Sequence, residues 1–149
     1  MQWCIAGQDD HYLSPMNLCE QAETFRLLLI MGIASRSEIV AWADAVIAAQ
    51  AHLPEWLLDV SLAANEDDYA MESRLRALPC DANRRMAAYS AIDRFAEEFR
   101  SGGIPPNAGA RMLEKWAASA KVNQDDWTAA MIPLWVADEV EHGYTSDED

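Results

Sequence analysis

The sequence predicts an all-α fold, about seven helices packed as antiparallel pairs in one irregular bundle or short solenoid. Helix start and stop signals recur along most of the chain, while the apolar–polar alternation of a strand is nearly absent. Glycine and proline are sparse at six each, and no low-complexity stretch breaks the pattern. Hydrophobic residues make up 51% of the 149 and six are tryptophan, so the chain has material for one core. A compact domain of this length buries roughly 70% of its unfolded surface. No 20–50-residue repeat is visible. One helical domain over residues 1–142 is therefore expected, followed by an acidic, disordered tail, GYTSDED, at 143–149.

The elements follow in order. Ser14-Pro15 supplies an N-cap and a first-turn proline, and an apolar pattern then runs to Met31 with Gly32 as a stop. Ser35-Arg36-Ser37-Glu38 reads as a capping box opening a second helix to about Ala51. Pro54 begins a short third helix through about Ala63. Asn65 is expected to cap a fourth, with acids in its first turn, Arg74 and Arg76 near its end, and Pro79 beyond it. Asp81 or Asn83 starts a fifth helix reaching Arg100, stopped by Gly102-Gly103. After the loop Ile104-Pro105-Pro106-Asn107, a sixth runs to about Lys121. Asp125-Asp126 opens a seventh along Trp127, Met131, Leu134 and Trp135, kinked or split at Pro133.

The second helix departs from the usual amphipathic plan. Ile39, Ala43, Val46, Ile47 and Gln50 share one face, and the opposite face is Ala41, Ala45 and Ala48 rather than charged residues. Alanine there predicts the close approach of another helix, or a flat site for a partner. Asp44 lies at the margin of the apolar face and calls for a partner close by.

Composition excludes several classes. MQWCIAGQDD lacks a basic n-region and its apolar run is short, so no signal peptide is expected. The longest apolar run, Leu27 to Ala34, falls well short of the ~20 residues of a membrane span. Cys4, Cys19 and Cys80 are odd in number and form no CxxC, which favours buried free thiols over a disulfide framework or zinc knuckle. A cytoplasmic protein is the expectation. The net charge of −14 argues against direct nucleic-acid binding, since phosphates are repelled. That charge is unevenly placed. Residues 1–70 hold eleven acids and two bases, residues 71–121 six acids and nine bases, and residues 122–149 eight acids and no bases. Middle helices should pair with outer ones, and the remaining acid faces solvent or a partner.

Catalytic and metal signatures are thin, so no enzymatic activity, cofactor or metal is expected. His11, His52 and His142 fall on different elements. Glu139 to His142 contains one Glu-x-x-His, whereas a di-iron carboxylate site needs two plus further glutamates on facing helices. Cys4, His11 and Cys19 match no zinc spacing. GxSxG, Walker, GxGxxG and HExxH patterns are lacking. Adjacent acids at Glu97-Glu98 and Asp125-Asp126 point about 100° apart on a helix, and read as a solvated face and a helix start.

The better candidate is the acidic stretch around the third and fourth helices. Glu55 and Asp59 stand four apart on one face, and Glu66, Asp67 and Asp68 follow at the next helix start. Two accounts fit. All five lie near helix N-termini, where the dipole favours acids. Equally, they form a negative ridge with Trp56 beside it as an aromatic anchor, suited to a basic partner. Trp56 can also simply belong to the core.

The segments IVAWADAVI and LPEWLLDVSLA, within residues 33–64, resemble small all-helical immunity proteins of bacterial contact-dependent inhibition and polymorphic toxin systems. The resemblance implies a cytoplasmic, stoichiometric, non-enzymatic inhibitor of a cognate toxin domain, commonly a nuclease. Acidity suits that role, because a nuclease cleft is basic and charge steering speeds association. Glu55, Trp56, Asp59, Glu66, Asp67 and Asp68 are the expected contact residues. The competing expectation is a helical adaptor or chaperone-type module, dimeric through the alanine face of the second helix. A metal- or small-molecule-dependent enzyme rests only on Glu139 and His142.

Overall fold

A computed structural model describes residues 17–121, and these are all-helical. Among them are six helices: α1 (Leu18–Met31), α2 (Arg36–Ala49), α3 (Glu55–Ser61), α4 (Asp68–Arg76), α5 (Arg84–Arg100) and α6 (Pro106–Ala120). The expected seventh helix, the Ser14-Pro15 cap, the acidic tail, Cys4, His11, and the Glu139–His142 motif lie outside the described residues.

Helix α1 is the axis of the bundle. It packs against α4, α5 and α6, while α2 pairs with α3 and α5 with α6. Its sequence, LCEQAETFRLLLIM, is apolar on more than one side, and Ala22, Phe25, Leu27, Leu28, Leu29 and Met31 are all buried. A helix apolar most of the way round belongs inside a bundle. The facing surface of α5 offers Ala87, Ala88 and Ala91, all buried, so small side chains allow the two helices to approach closely. Leu113 and Trp116 of α6 complete the core, and the Trp116 indole N–H donates to the Ala88 carbonyl at 3.0 Å.

The helix ends show which cap signals are used. Asn17 caps α1 through a reciprocal box: the Glu20 N–H donates to Asn17 Oδ1 at 2.8 Å, and the Asn17 N–H to Glu20 Oε2 at 3.2 Å. Gly32 ends α1 at φ +80°, where its N–H reaches back to the carbonyls of Leu28 and Leu29. Ser35 caps α2, but the expected box is only half made. Glu38 turns outward to Arg94 of α5 instead, with bonds of 2.5 and 3.1 Å. An ion pair to a neighbouring helix is a stronger use of that carboxylate than a bond to its own N-cap. Asp67, rather than Asn65, caps α4 through the Ala70 N–H at 2.7 Å, and Asn83 caps α5. Pro105-Pro106 opens α6.

Two further expectations are corrected. Cys19 and Cys80 are not free thiols; they form a disulfide, Cα–Cα 6.1 Å, across 61 residues of sequence. The bridge ties the first turn of α1 to the α4–α5 connection. Cysteine parity gave no hint of it, because a long-range pair leaves no local spacing signal. Among the described residues no helix fills the alanine back of α2, where Ala41, Ala45 and Ala48 are exposed, which leaves the flat surface as the other expectation. Asp44, exposed beside them, accepts a hydrogen bond from the Ser61 hydroxyl of α3.

Among the described residues, Glu20, Arg26 and Glu72 are the buried charged ones; Glu20 serves the α1 cap, and the other two share one network. The Arg26 side chain of α1, 8% exposed, donates to Glu72 of α4, 9% exposed, at 3.0 Å. It also grips Glu23 at 2.6 and 2.8 Å, and donates to the Ser119 carbonyl of α6 at 3.1 Å. The Glu23 hydrogen bond raises the guanidinium pKa above its ordinary value, with Glu72 adding to it and burial opposing. Glu72 is held from its other side by Arg76. This network joins α1, α4 and α6.

Candidate partner-binding surface

The six expected contact residues divide into those used internally and those left outside. Glu66 is bound by Arg74, whose Nε lies 3.1 Å from Glu66 Oε2. That hydrogen bond raises the Arg74 guanidinium pKa, and the nearby Asp59 charge adds to the effect. Asp68 pairs with Arg36 of α2 at 2.8 Å, and the same arginine donates to the Glu66 carbonyl. Asp67 is the α4 cap. The start of α4 is thereby fastened to α2 and to its own last turn, so this cluster has a structural use for each of its three acids.

Trp56 is half-buried and packs against the core. Its ring stacks on Trp42 at a 6.5 Å centroid distance, and Trp42 leans on Phe25 at 5.2 Å. The Trp42 indole N–H donates to Gln21 Oε1 at 2.8 Å. This aromatic row fixes the α2–α3 pair against α1. Trp56 thus supports the surface from behind.

Glu55 and Asp59 are different. Both are exposed, and neither is in an ion pair among the described residues. Their helix buries Leu57 and Val60. Its outer face carries Glu55, Leu58, Asp59 and Leu62 within an arc of roughly 100°. Leu62 stays in helical register, its N–H bonded to the Leu58 carbonyl at 3.0 Å. Leu58 is 44% exposed and Leu62 82%; Tyr69, in the first turn of α4, is 79% exposed. Among the described residues only one other large apolar side chain, Tyr89, is exposed, so the outward apolar groups concentrate at α3 and the α4 start.

Sequence reasoning missed Leu58, Leu62 and Tyr69. A signal for the leucines was present: Leu57 and Val60 already satisfy the inner face, so Leu58 and Leu62 break the amphipathic pattern of a seven-residue helix. Elsewhere, a cleft of about 390 Å³ opens at the α1–α2 turn beside Leu29, Gly32, Ile33 and Ser35, but its two charged side chains, Arg36 and Asp68, neutralise each other. Among the described residues no three His, Cys, Asp or Glu side chains converge as a metal cage, and no helix is long and apolar enough to cross a membrane. Comparison of the chain with protein-family models, with curated proteins and with solved structures finds no match in any of the three.

Proposed function

We propose that this chain is an immunity-type binding protein that neutralises a cognate bacterial toxin domain, a basic nuclease domain being the target its charge suits best. Binding is stoichiometric and electrostatically steered, with no catalytic step on this chain. The observation that carries the reading is the outer face of α3, where Glu55 and Asp59 are exposed and form no ion pair among the described residues, in a chain of net charge −14. Among the described residues Arg36, Arg76 and Arg94 serve internal pairs, and Arg74, bound to Glu66, is close enough to feel the Asp59 charge without forming an ion pair with it. A strongly acidic surface raises the encounter rate with a basic protein and repels nucleic acid, so it favours the toxin over the toxin's substrate. Co-expression with the product of each adjacent open reading frame, assayed first for toxicity alone, tests the proposal. Restored growth together with a co-purifying complex supports it, and toxicity unchanged by the chain removes it.

The reading places the protein in the cytoplasm, where a delivered toxin acts. The Cys19–Cys80 bridge weighs toward an oxidising compartment, since cytosolic reductants keep most thiols open. Thiol trapping in intact cells separates the two: reduced cysteines place the working protein in the cytoplasm, and a protected bridge places it outside.

A second reading, a helical adaptor or chaperone-type module, is favoured by one observation, the exposed Ala41, Ala45 and Ala48 stripe on α2. A dimer seam there requires self-association, which sedimentation at micromolar concentration detects directly.

A further inference from the structure

We infer that the partner is held through an apolar anchor at α3, and that the segment docking there is a basic amphipathic one, with leucine-sized side chains flanked by lysine or arginine. The inference rests on the binding reading above and specifies the chemistry of its partner. It changes the expected contact set: Glu66, Asp67, Asp68 and Trp56 hold the fold, while Glu55, Leu58, Asp59 and Leu62, with Tyr69 beyond the turn, face outward.

The geometry supports this choice of occupant. Leu58 and Leu62 lie one helical turn apart, and Glu55 and Asp59 lie one turn apart beside them, giving parallel apolar and acidic rows. Leu62, 82% exposed at the C-terminal end of this face, gains by burial against another apolar group. The flanking carboxylates select what may bring that group. A second copy of the chain would set Glu55 and Asp59 against identical acids in a two-fold contact, which like charge opposes. A purely polar cationic cleft would satisfy the carboxylates and leave the leucines wet. Only a segment carrying both apolar and basic groups answers both rows. Tyrosine at the edge of such a patch adds a large, rigid contact with few rotamers to order.

The test uses the full chain, with its disulfide intact, and three fluorescein-labelled probes. One is an 18-residue peptide of leucine and lysine at helical spacing, the second has the same composition scrambled to destroy the apolar face, and the third is all lysine. Anisotropy gives affinity, and amide chemical shifts give the site. The expected result is preferential binding of the amphipathic peptide, with shifts confined to residues 55–69. Leu58→Ser/Leu62→Ser should weaken it at least about tenfold, and Glu55→Lys/Asp59→Lys likewise. These four side chains are exposed, and far-ultraviolet circular dichroism verifies that each variant keeps its helices. Equal binding of all three peptides, undiminished binding by the leucine variant, or shifts spread over other acidic helices overturns the inference. So does a wild-type dimer that the leucine variant converts to monomer. Failure here leaves the immunity reading standing if the leucine variant still neutralises the toxin. Conversely, site-specific peptide binding without toxin neutralisation removes the immunity reading and keeps the docking face.

Discussion

Arg26→Met removes the one cation among the described residues that joins α1 to both α4 and α6. Methionine keeps most of the aliphatic stem, so the change chiefly deletes charge and hydrogen bonds. The lost contacts are those to Glu72 at 3.0 Å, to Glu23 and to the Ser119 carbonyl at 3.1 Å. Removing one member of a buried ion pair costs about 3–5 kcal/mol, because the remaining charge stays desolvated. The lower end applies here: Glu72 retains Arg76, which is 66% exposed, and Glu23, at 15%, has some access to water. A loss of about 3 kcal/mol shifts the midpoint of thermal unfolding by roughly 12 °C for a domain of this size. Urea denaturation without reductant measures it. The double variant Arg26→Met/Glu72→Leu separates charge from packing, since an apolar replacement of a buried pair is often neutral. It should lose less stability than Arg26→Met alone. A single-variant cost below about 1 kcal/mol, or a double variant that loses the sum of two independent penalties, refutes the claim that this network is desolvated and coupled.

Three further outcomes follow from other contacts of the fold. Reducing the Cys19–Cys80 bridge frees a closed loop spanning 61 residues, and chain entropy sets the loss near 4 kcal/mol at most; identical melting with and without dithiothreitol means the bridge constrains nothing. Trp42→Ala should cost about 2–3 kcal/mol, below the range for a fully buried tryptophan, because Trp42 is half-buried yet holds Phe25, Trp56 and Gln21 together. Stability unchanged in that variant would show the aromatic row to be incidental. Partial burial raises the Asp93 carboxyl pKa, with Arg100 opposing. Its folded value then lies above its unfolded one, so Asp93 favours the folded state only when protonated, and that contribution falls as pH rises through the carboxylate range. Asp93→Asn should therefore gain stability over the parent at neutral pH and lose the advantage in acid; a pH-independent difference contradicts the assignment.

The sequence was informative at most local determinants, although Asp67 rather than Asn65 caps α4 and Asn17 rather than Ser14 caps α1. Gly32, Ser35, Pro54, Asn83 and Pro105-Pro106 mark helix ends through their own backbone preferences, and the helices begin or stop beside them. What it left open depends on residues brought together by folding. Glu38 follows the capping-box spacing, but its carboxylate goes to Arg94, 56 residues away. Asp68 looks like a helix-start acid, and only the position of Arg36 makes it an interhelix ion pair. The Cys19–Cys80 pair is invisible for the same reason. The acidic ridge divides along this line: Glu66, Asp67 and Asp68 are absorbed by the fold, whereas Glu55 and Asp59 form no ion pair among the described residues. Reversing Glu66, Asp67 and Asp68 to lysine should now unsettle α4 itself, since it removes the cap and two arginine pairs together.

Stopped-flow association with the purified product of the adjacent open reading frame tests most directly whether acidic steering captures a basic protein partner. Screening shortens from a Debye length of about 30 Å at 0.01 M salt to about 3 Å at 1 M. The account predicts that the association rate falls by at least about tenfold across that range, and that Glu55→Lys/Asp59→Lys flattens the dependence. Absence of a complex, or an association rate indifferent to salt, contradicts it.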